Sequence, residues 1–339
     1  METPAQPQHQ TQPQPQPRKR SWIPIVVFLS ALVVACVACV ALAVLMGRSV
    51  ESTAESIHEE AVQGSGEWKI AIIPVTGTIQ ESAGGFTTSA ATPESLKAML
   101  DQAENDSKVK AIILEVDSPG GEVVASDEMY REILDFKQRT RKPVVVRMVS
   151  TAASGAYYIS MAADKIVANP MTLTGSLGVI MEYMNFSKAA DKVGISQVVI
   201  RSGEFKDIGN PFRDPTKEER QILQQLVDEA YNQFVNVIAQ GRKMPTSRVR
   251  QLADGRVYSG QQAKQLGLVD ELGNLDKAVQ VAEQLAGIKN AQVVRYRHSV
   301  SLLSLLSSRL QMSTEPDAMK ILRSAGYDIT PRLMYIYRP

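Results

Sequence analysis

The chain has 339 residues, a formal net charge of +1 at pH 7 and 44% hydrophobic residues. So balanced a charge offers no electrostatic footprint for nucleic acid, and the apolar content suffices for a globular core. The two cysteines, Cys36 and Cys39, sit at i and i+3 within one apolar run, where they form no structural staple and read as small residues in lipid.

The first 17 residues are rich in Gln and Pro and cannot build a core. Arg18, Lys19 and Arg20 follow, then Trp22 and an uncharged apolar run over 23–46, long enough to cross a hydrocarbon layer of ~30 Å. A cleavable signal peptide carries a shorter apolar region of roughly 7–15 residues, so an uncleaved anchor is expected, although Ala41-Leu-Ala43 also has the form of a cleavage site. Three cations precede the run and Arg48 alone follows it closely, which places the N-terminus in the cytoplasm and the rest outside. The expected organisation is a disordered tail (1–20), a single membrane span (21–47), a Ser/Glu/Gly-rich linker (48–67), a large domain (68–298) and a C-terminal extension (299–339).

Within the large domain, apolar runs alternate with helical patterns. Strands are expected at 69–75, 109–116, 143–149, 165–168, 177–181 and 197–200; the run 109–116, apolar apart from Lys110 and Glu115, reads as a strand of a parallel sheet covered on both faces. Helices are expected at 93–104, 122–139 and from Ser154 to 162. Thr216 with Glu219 makes a capping box for a long helix ending near 243. Shorter helices follow at 259–266 and 275–286, each closed by glycine, then an edge strand at 292–295 and leucines in helical spacing over 299–311. The succession argues an α/β fold.

Several segments carry chemistry. Ser154, in Ser150-Thr-Ala-Ala-Ser-Gly-Ala-Tyr-Tyr158, stands where a buried strand gives way to a helix. It is either a displayed nucleophile or a small residue at a tight junction. The three histidines, His9, His58 and His298, lie far from it in sequence, so a Ser-His-Asp triad lacks material. A lysine can serve as base if burial favours its neutral form. Lys206, in Ser202-Gly-Glu-Phe-Lys-Asp-Ile-Gly-Asn-Pro-Phe-Arg213, has Phe205, Ile208, Pro211 and Phe212 to desolvate it; the plainer reading is an exposed loop lysine. Gly120 and Gly121, after a buried strand, are either oxyanion donors or a tight turn. Ser176, in Thr174-Gly-Ser-Leu-Gly-Val179, either orients the lysine or simply makes a turn. No cluster has metal-ligand spacing, no glycine pattern cradles a nucleotide, and no cofactor is expected.

Asp117-Ser-Pro-Gly-Gly121, Ala152-Ala-Ser-Gly155 with Tyr157 and Tyr158, the Thr174 segment and the Ser202 segment, in this order, resemble signal peptide peptidase A in its short Bacillus-type form, from about Trp68 to Gly287. The resemblance implies a crotonase/Clp-protease-like fold of repeated ββα units, to which the apolar run 23–46 adds a membrane helix before and the leucine spacing a helical extension after. It implies a serine endopeptidase with Ser154 as nucleophile, Lys206 as general base, Ser176 assisting the lysine and Gly120-Gly121 in the oxyanion hole. The implied substrates are remnant signal peptides and other hydrophobic peptides, and the implied assembly is an octameric ring in which neighbouring copies share each site. The apolar segment 333–337 is a candidate self-peptide for the groove. A catalytically silent peptide-binding scaffold and an acyl-CoA-processing crotonase are the alternatives.

Overall fold

The computed structural model describes residues 57–82, 90–298 and 332–337, with Phe28 and Val37. The chain divides into Met1–Ala54 and Glu55–Pro339. The expected span lies in the first unit and, save Phe28 and Val37, outside the described residues. Among the described residues no helix is long and apolar enough to cross a membrane. The leucine-spaced segment 299–311 also lies outside them.

The second unit begins with β1 (Ile57–Gln63), β2 (Lys69–Thr76), β3 (Thr78–Ile79), β4 (Ala90–Ala91) and α1 (Pro93–Asn105). Next come β5 (Val109–Ser118), β6 (Gly120–Glu122), α2 (Val123–Thr140), β7 (Val144–Ala153) and α3 (Gly155–Ser160). β8 (Lys165–Ala168), β9 (Leu173–Gly175), β10 (Ile180–Glu182) and α4 (Ser187–Val193) precede the long α5 (Lys217–Arg242). The remainder is α6 (Thr246–Leu252), β11 (Val257–Ser259), α7 (Gly260–Gln265), β12 (Glu271–Leu272), α8 (Leu275–Ala286), β13 (Gln292–His298) and β14 (Arg332–Ile336). The fold is mixed α/β.

The larger sheet runs β1-β13-β2-β5-β7-β8-β12, with β9 joining β7 and β11 joining β9; its centre is parallel. The smaller sheet runs β10-β14-β6-β3-β4. Twice, a strand of the large sheet passes through one or two strands of the small sheet into a helix: β2-β3-β4-α1 and β5-β6-α2. Side chains alternate across the pleat, so both faces of the large sheet need cover. Ile70, Ile72, Ile113 and Val145 pack with Ala278, Val279, Val281 and Ala282 of α8. Ala71, Ile73, Ile112, Leu114 and Val146 face the larger core with Met99 and Leu100 of α1, Ile133 and Phe136 of α2, and Phe234 and Ile238 of α5. Each buried Val, Ile, Leu, Met or Phe side chain among these contributes roughly 1.5–3 kcal/mol. Local signals agree with this packing: Thr92 caps α1 ahead of Pro93, and Thr216 and Glu219 close a reciprocal box at the start of α5.

Three expectations are corrected. Residues 197–200 form no strand; Val198 is 85% and Ile200 98% exposed, and no strand among the described residues pairs with them. The 292–295 strand is not an edge: β13 lies between β1 and β2, and β1 arises from residues expected to be linker. The strand expected at 177–181 is replaced by β9 and β10 on either side of a loop.

Candidate active site

Strand β7 delivers Ser154 to the start of α3. Its backbone is at φ 55° and ψ −115°, a region that costs a non-glycine residue of order 1–3 kcal/mol. Two hydrogen bonds impose it: the Ser154 N–H donates to the Gly175 carbonyl at 2.8 Å, and the Ser154 carbonyl accepts from the Tyr158 N–H at 2.9 Å. The residue is 1% exposed, and Oγ has no hydrogen-bond partner among the described residues. A buried hydroxyl without a partner costs a further ~1–3 kcal/mol. Backbone strain and an unused hydroxyl at one position are what a held nucleophile requires and what a mere junction residue avoids.

Beside Ser154 runs β6. Ser118 Oγ accepts the Gly120 N–H at 3.1 Å and holds Gly120 at φ +92°. The Gly120 donor is therefore committed, and Gly121 is the member of the pair whose N–H faces the groove. The C-terminal strand β14 fills that groove, antiparallel to β6 with Tyr335 opposite Gly121 and Ile336 opposite Gly120. The Tyr337 N–H donates to the Pro119 carbonyl at 2.7 Å. Since antiparallel hydrogen-bonded pairs alternate, Tyr335 and Gly121 form the next such pair. A side chain at Gly120 would collide with the Tyr335 carbonyl oxygen, and one at Gly155 would put its Cβ 3.0 Å from that oxygen and 3.2 Å from the Gly121 nitrogen. Glycine at both positions is thus what lets a peptide carbonyl reach the backbone next to Ser154.

The Tyr335 side chain is fully buried. Its ring stacks on Tyr158 (centroids 5.2 Å apart) and packs against Phe234 at 4.6 Å, while its hydroxyl donates to the Ala230 carbonyl at 2.8 Å. Tyr158 is itself fixed by a 2.6 Å hydrogen bond from its hydroxyl to Asp127 and by an edge contact with Tyr130. Burial pushes the Tyr335 hydroxyl well above the ordinary tyrosine range, so it stays a neutral donor.

Ser176 is half-buried at φ 51°, with its N–H donating to the Arg256 carbonyl at 2.8 Å. It directly follows Gly175, whose carbonyl holds Ser154, so the structure brings Ser154, Ser176, Gly120 and Gly121 together. Lys206 is not brought to them. It lies exposed in a chain of turns, with no side-chain hydrogen bond or ion pair among the described residues. The desolvating shell expected from its own loop does not form: Phe205 is 40% and Phe212 41% exposed. The loop is tied down by charge instead. Arg213 donates to Asp207 at 3.0 Å and to the Glu219 carboxylate, holding both carboxyls below the usual range.

Sequence reasoning missed Tyr158 and Phe234 as pocket walls, Gly155 as a glycine of the carbonyl site, and Arg213 as the tie of the lysine loop. Glu219 was legible as a capping residue, and its spacing from Arg213 was the available signal.

The sequence profile described as "Peptidase family S49" matches residues 136–289. A putative signal peptide peptidase SppA of Enterococcus faecium is 34% identical over 293 residues, covering 84% of this chain and 85% of that protein. The chloroplastic serine protease SPPA of Arabidopsis thaliana is 37% identical over 249 residues, 71% of this chain and 36% of that protein. Protease 4 of Haemophilus influenzae is 34% identical over 267 residues, 75% of this chain and 42% of that protein. With a strained, unpartnered serine at its centre and these relatives around it, the chain belongs to peptidase family S49 and is a serine peptidase.

Proposed function

We propose that this serine peptidase is a membrane-anchored endopeptidase that degrades hydrophobic peptides, remnant signal peptides among them. Lys206 takes the Ser154 proton as Oγ bonds to the substrate carbonyl carbon. The oxyanion is held at the Gly121 and Gly155 backbone. Collapse breaks the C–N bond, the departing amine takes the proton from Lys206, and water then hydrolyses the acyl-enzyme. Ser176 orients the lysine amine.

The observation that carries this reading is β14. A segment of the chain lies antiparallel in the groove, as an extended substrate does, with one carbonyl against the glycines beside Ser154 and one aromatic side chain in a closed pocket. That geometry makes Tyr335-Ile336 the bond facing Ser154, and an apolar pocket of this kind suits hydrophobic peptides. The name of the Enterococcus faecium relative points to signal peptides. Anchoring, with the peptidase outside the cytoplasm, rests on the apolar run 23–46 and its flanking cations. The repeated strand-strand-helix units support a Clp-protease/crotonase-like architecture.

Within one chain Lys206 makes no contact with Ser154, which by itself would favour a silent scaffold. In the reading proposed here a second copy supplies the missing lysine. Val193, Ile195, Val198 and Ile200 expose 69%, 59%, 85% and 98% of their surface in one continuous segment just before the lysine loop. A ring, octameric by resemblance, would cover that strip and place Lys206 beside a neighbour's Ser154.

A synthetic peptide of residues 330–339 incubated with the full chain tests the reading. Mass spectrometry is expected to find a single cut after the tyrosine equivalent to Tyr335. Binding without cleavage would favour the scaffold.

A further inference from the structure

We propose that Arg213, acting through Asp207, is a positioning residue for the catalytic lysine. The inference rests on Lys206 being the general base. Asp207 adjoins Lys206, and its carboxylate accepts Arg213 Nε at 3.0 Å and also pairs with Arg201. Arg213 Nη2 reaches the Asp207 carbonyl at 3.3 Å, so side chain and backbone of the residue next to Lys206 are both held. The other end of the guanidinium engages the Glu219 carboxylate with both terminal nitrogens, one contact at 2.7 Å. Glu219 is only 1% exposed, and its Oε2 also accepts the Thr216 N–H at 2.8 Å. The linkage runs from the rigid first turn of α5, through a buried carboxylate and a planar fork, to the loop.

This is more than a capping box needs. A cap works with its glutamate in water, whereas burying the carboxylate demands a paired cation. Arg213 meets that demand only from its present position, so the loop cannot lift away without stranding the Glu219 charge. The loop's own packing is weak: turn hydrogen bonds, with Phe205 and Phe212 partly in solvent. The charge linkage therefore sets where the lysine stem starts, and a displacement of about 1 Å in a catalytic group can cost about 100-fold in rate. Lysine could not replace Arg213, because a single ammonium cannot hold two carboxylates in one plane.

The test uses the full chain in detergent and a fluorogenic peptide. Asp207→Asn cuts the tie and leaves Arg213 paired with Glu219. Its kcat is expected to fall about 10–100-fold with KM within about twofold and the melting temperature within a few degrees. Arg213→Lys, which keeps the buried charge paired, is expected to fall likewise. The same Asp207→Asn change made in Lys206→Ala, with turnover restored by methylamine, is expected to cost nothing further, because the group it positions is gone. An equal loss in both backgrounds, or no loss in the parent, overturns the proposal. Full activity of Lys206→Ala alone would instead defeat the lysine reading on which it rests.

Discussion

Replacing Tyr335 by alanine is expected to empty the groove. The side chain is fully buried between Tyr158 and Phe234, and its hydroxyl bonds the Ala230 carbonyl. Truncating a buried aromatic side chain costs about 3–5 kcal/mol in a folded core. The vacated site can admit water, so about 3–4 kcal/mol is the reasonable figure, of which the hydroxyl supplies about 1 kcal/mol. At 1.36 kcal/mol per decade that lowers the docking equilibrium of the C-terminal strand by about 100–1000-fold. While β14 competes with substrate, a fluorogenic peptide shows a raised apparent KM. Tyr335→Ala should lower that KM and leave kcat unchanged, since the residue takes no part in chemistry on an external substrate. Tyr335→Phe, which loses only the hydroxyl bond, should shift the docking equilibrium about fivefold. Progress curves for the three chains at equal concentration give the comparison. Equal KM for all three would refute the argument that burial of Tyr335 holds the strand in the groove.

Four further outcomes are expected. Ser154→Gly should abolish peptidase activity yet raise stability by about 1 kcal/mol or more in denaturant titration, because glycine relieves both the positive φ and the unpartnered hydroxyl. Gly120→Ala should destroy activity and destabilise the chain, since the new Cβ meets the backbone of Ala153 and Gly155 at 2.9 and 2.6 Å. Ile200→Glu should reduce the particle mass seen by light scattering, whereas an unchanged mass would remove the exposed strip from the assembly interface. Melting should become easier in acid: burial tends to raise the Asp270 carboxyl, but the hydrogen bond and charge of Arg242 at 2.9 Å and the Ile166 N–H outweigh it and hold it below the ordinary range. A carboxyl depressed in the folded state contributes stability above its unfolded value of about 3.9 and loses it as pH falls through the folded value. The acid-side slope should therefore flatten in Asp270→Asn.

The central strands were legible because apolar residues dominate them: within 109–116 the stretch 111–114 is unbroken, as a strand covered on both faces requires, and β5 extends 109–116 by two residues. Ser154 was legible because small residues crowd the turn it must make. What the sequence hid depended on distant partners. Val198 and Ile200 have strand-forming side chains, but strand formation needs a neighbour, and none among the described residues pairs with them. β1 was hidden by its charges: among the described residues it pairs with β13 alone, and its side chains are mostly in water. Phe205 and Phe212 looked like a desolvating shell for Lys206, yet apolar neighbours in sequence shield a side chain only when something packs them over it. The pocket of Tyr158 and Phe234 joins α3 to α5, a separation no local pattern reports.

The most direct test of the central claim is labelling of the full chain by a fluorophosphonate, followed by peptide mapping, in the parent and in Lys206→Ala. Modification of Ser154 in the parent that is lost in the lysine variant is the expected result. A folded, assembled parent chain that leaves Ser154 unlabelled, or a Lys206→Ala chain labelled equally fast, would contradict the Ser-Lys account.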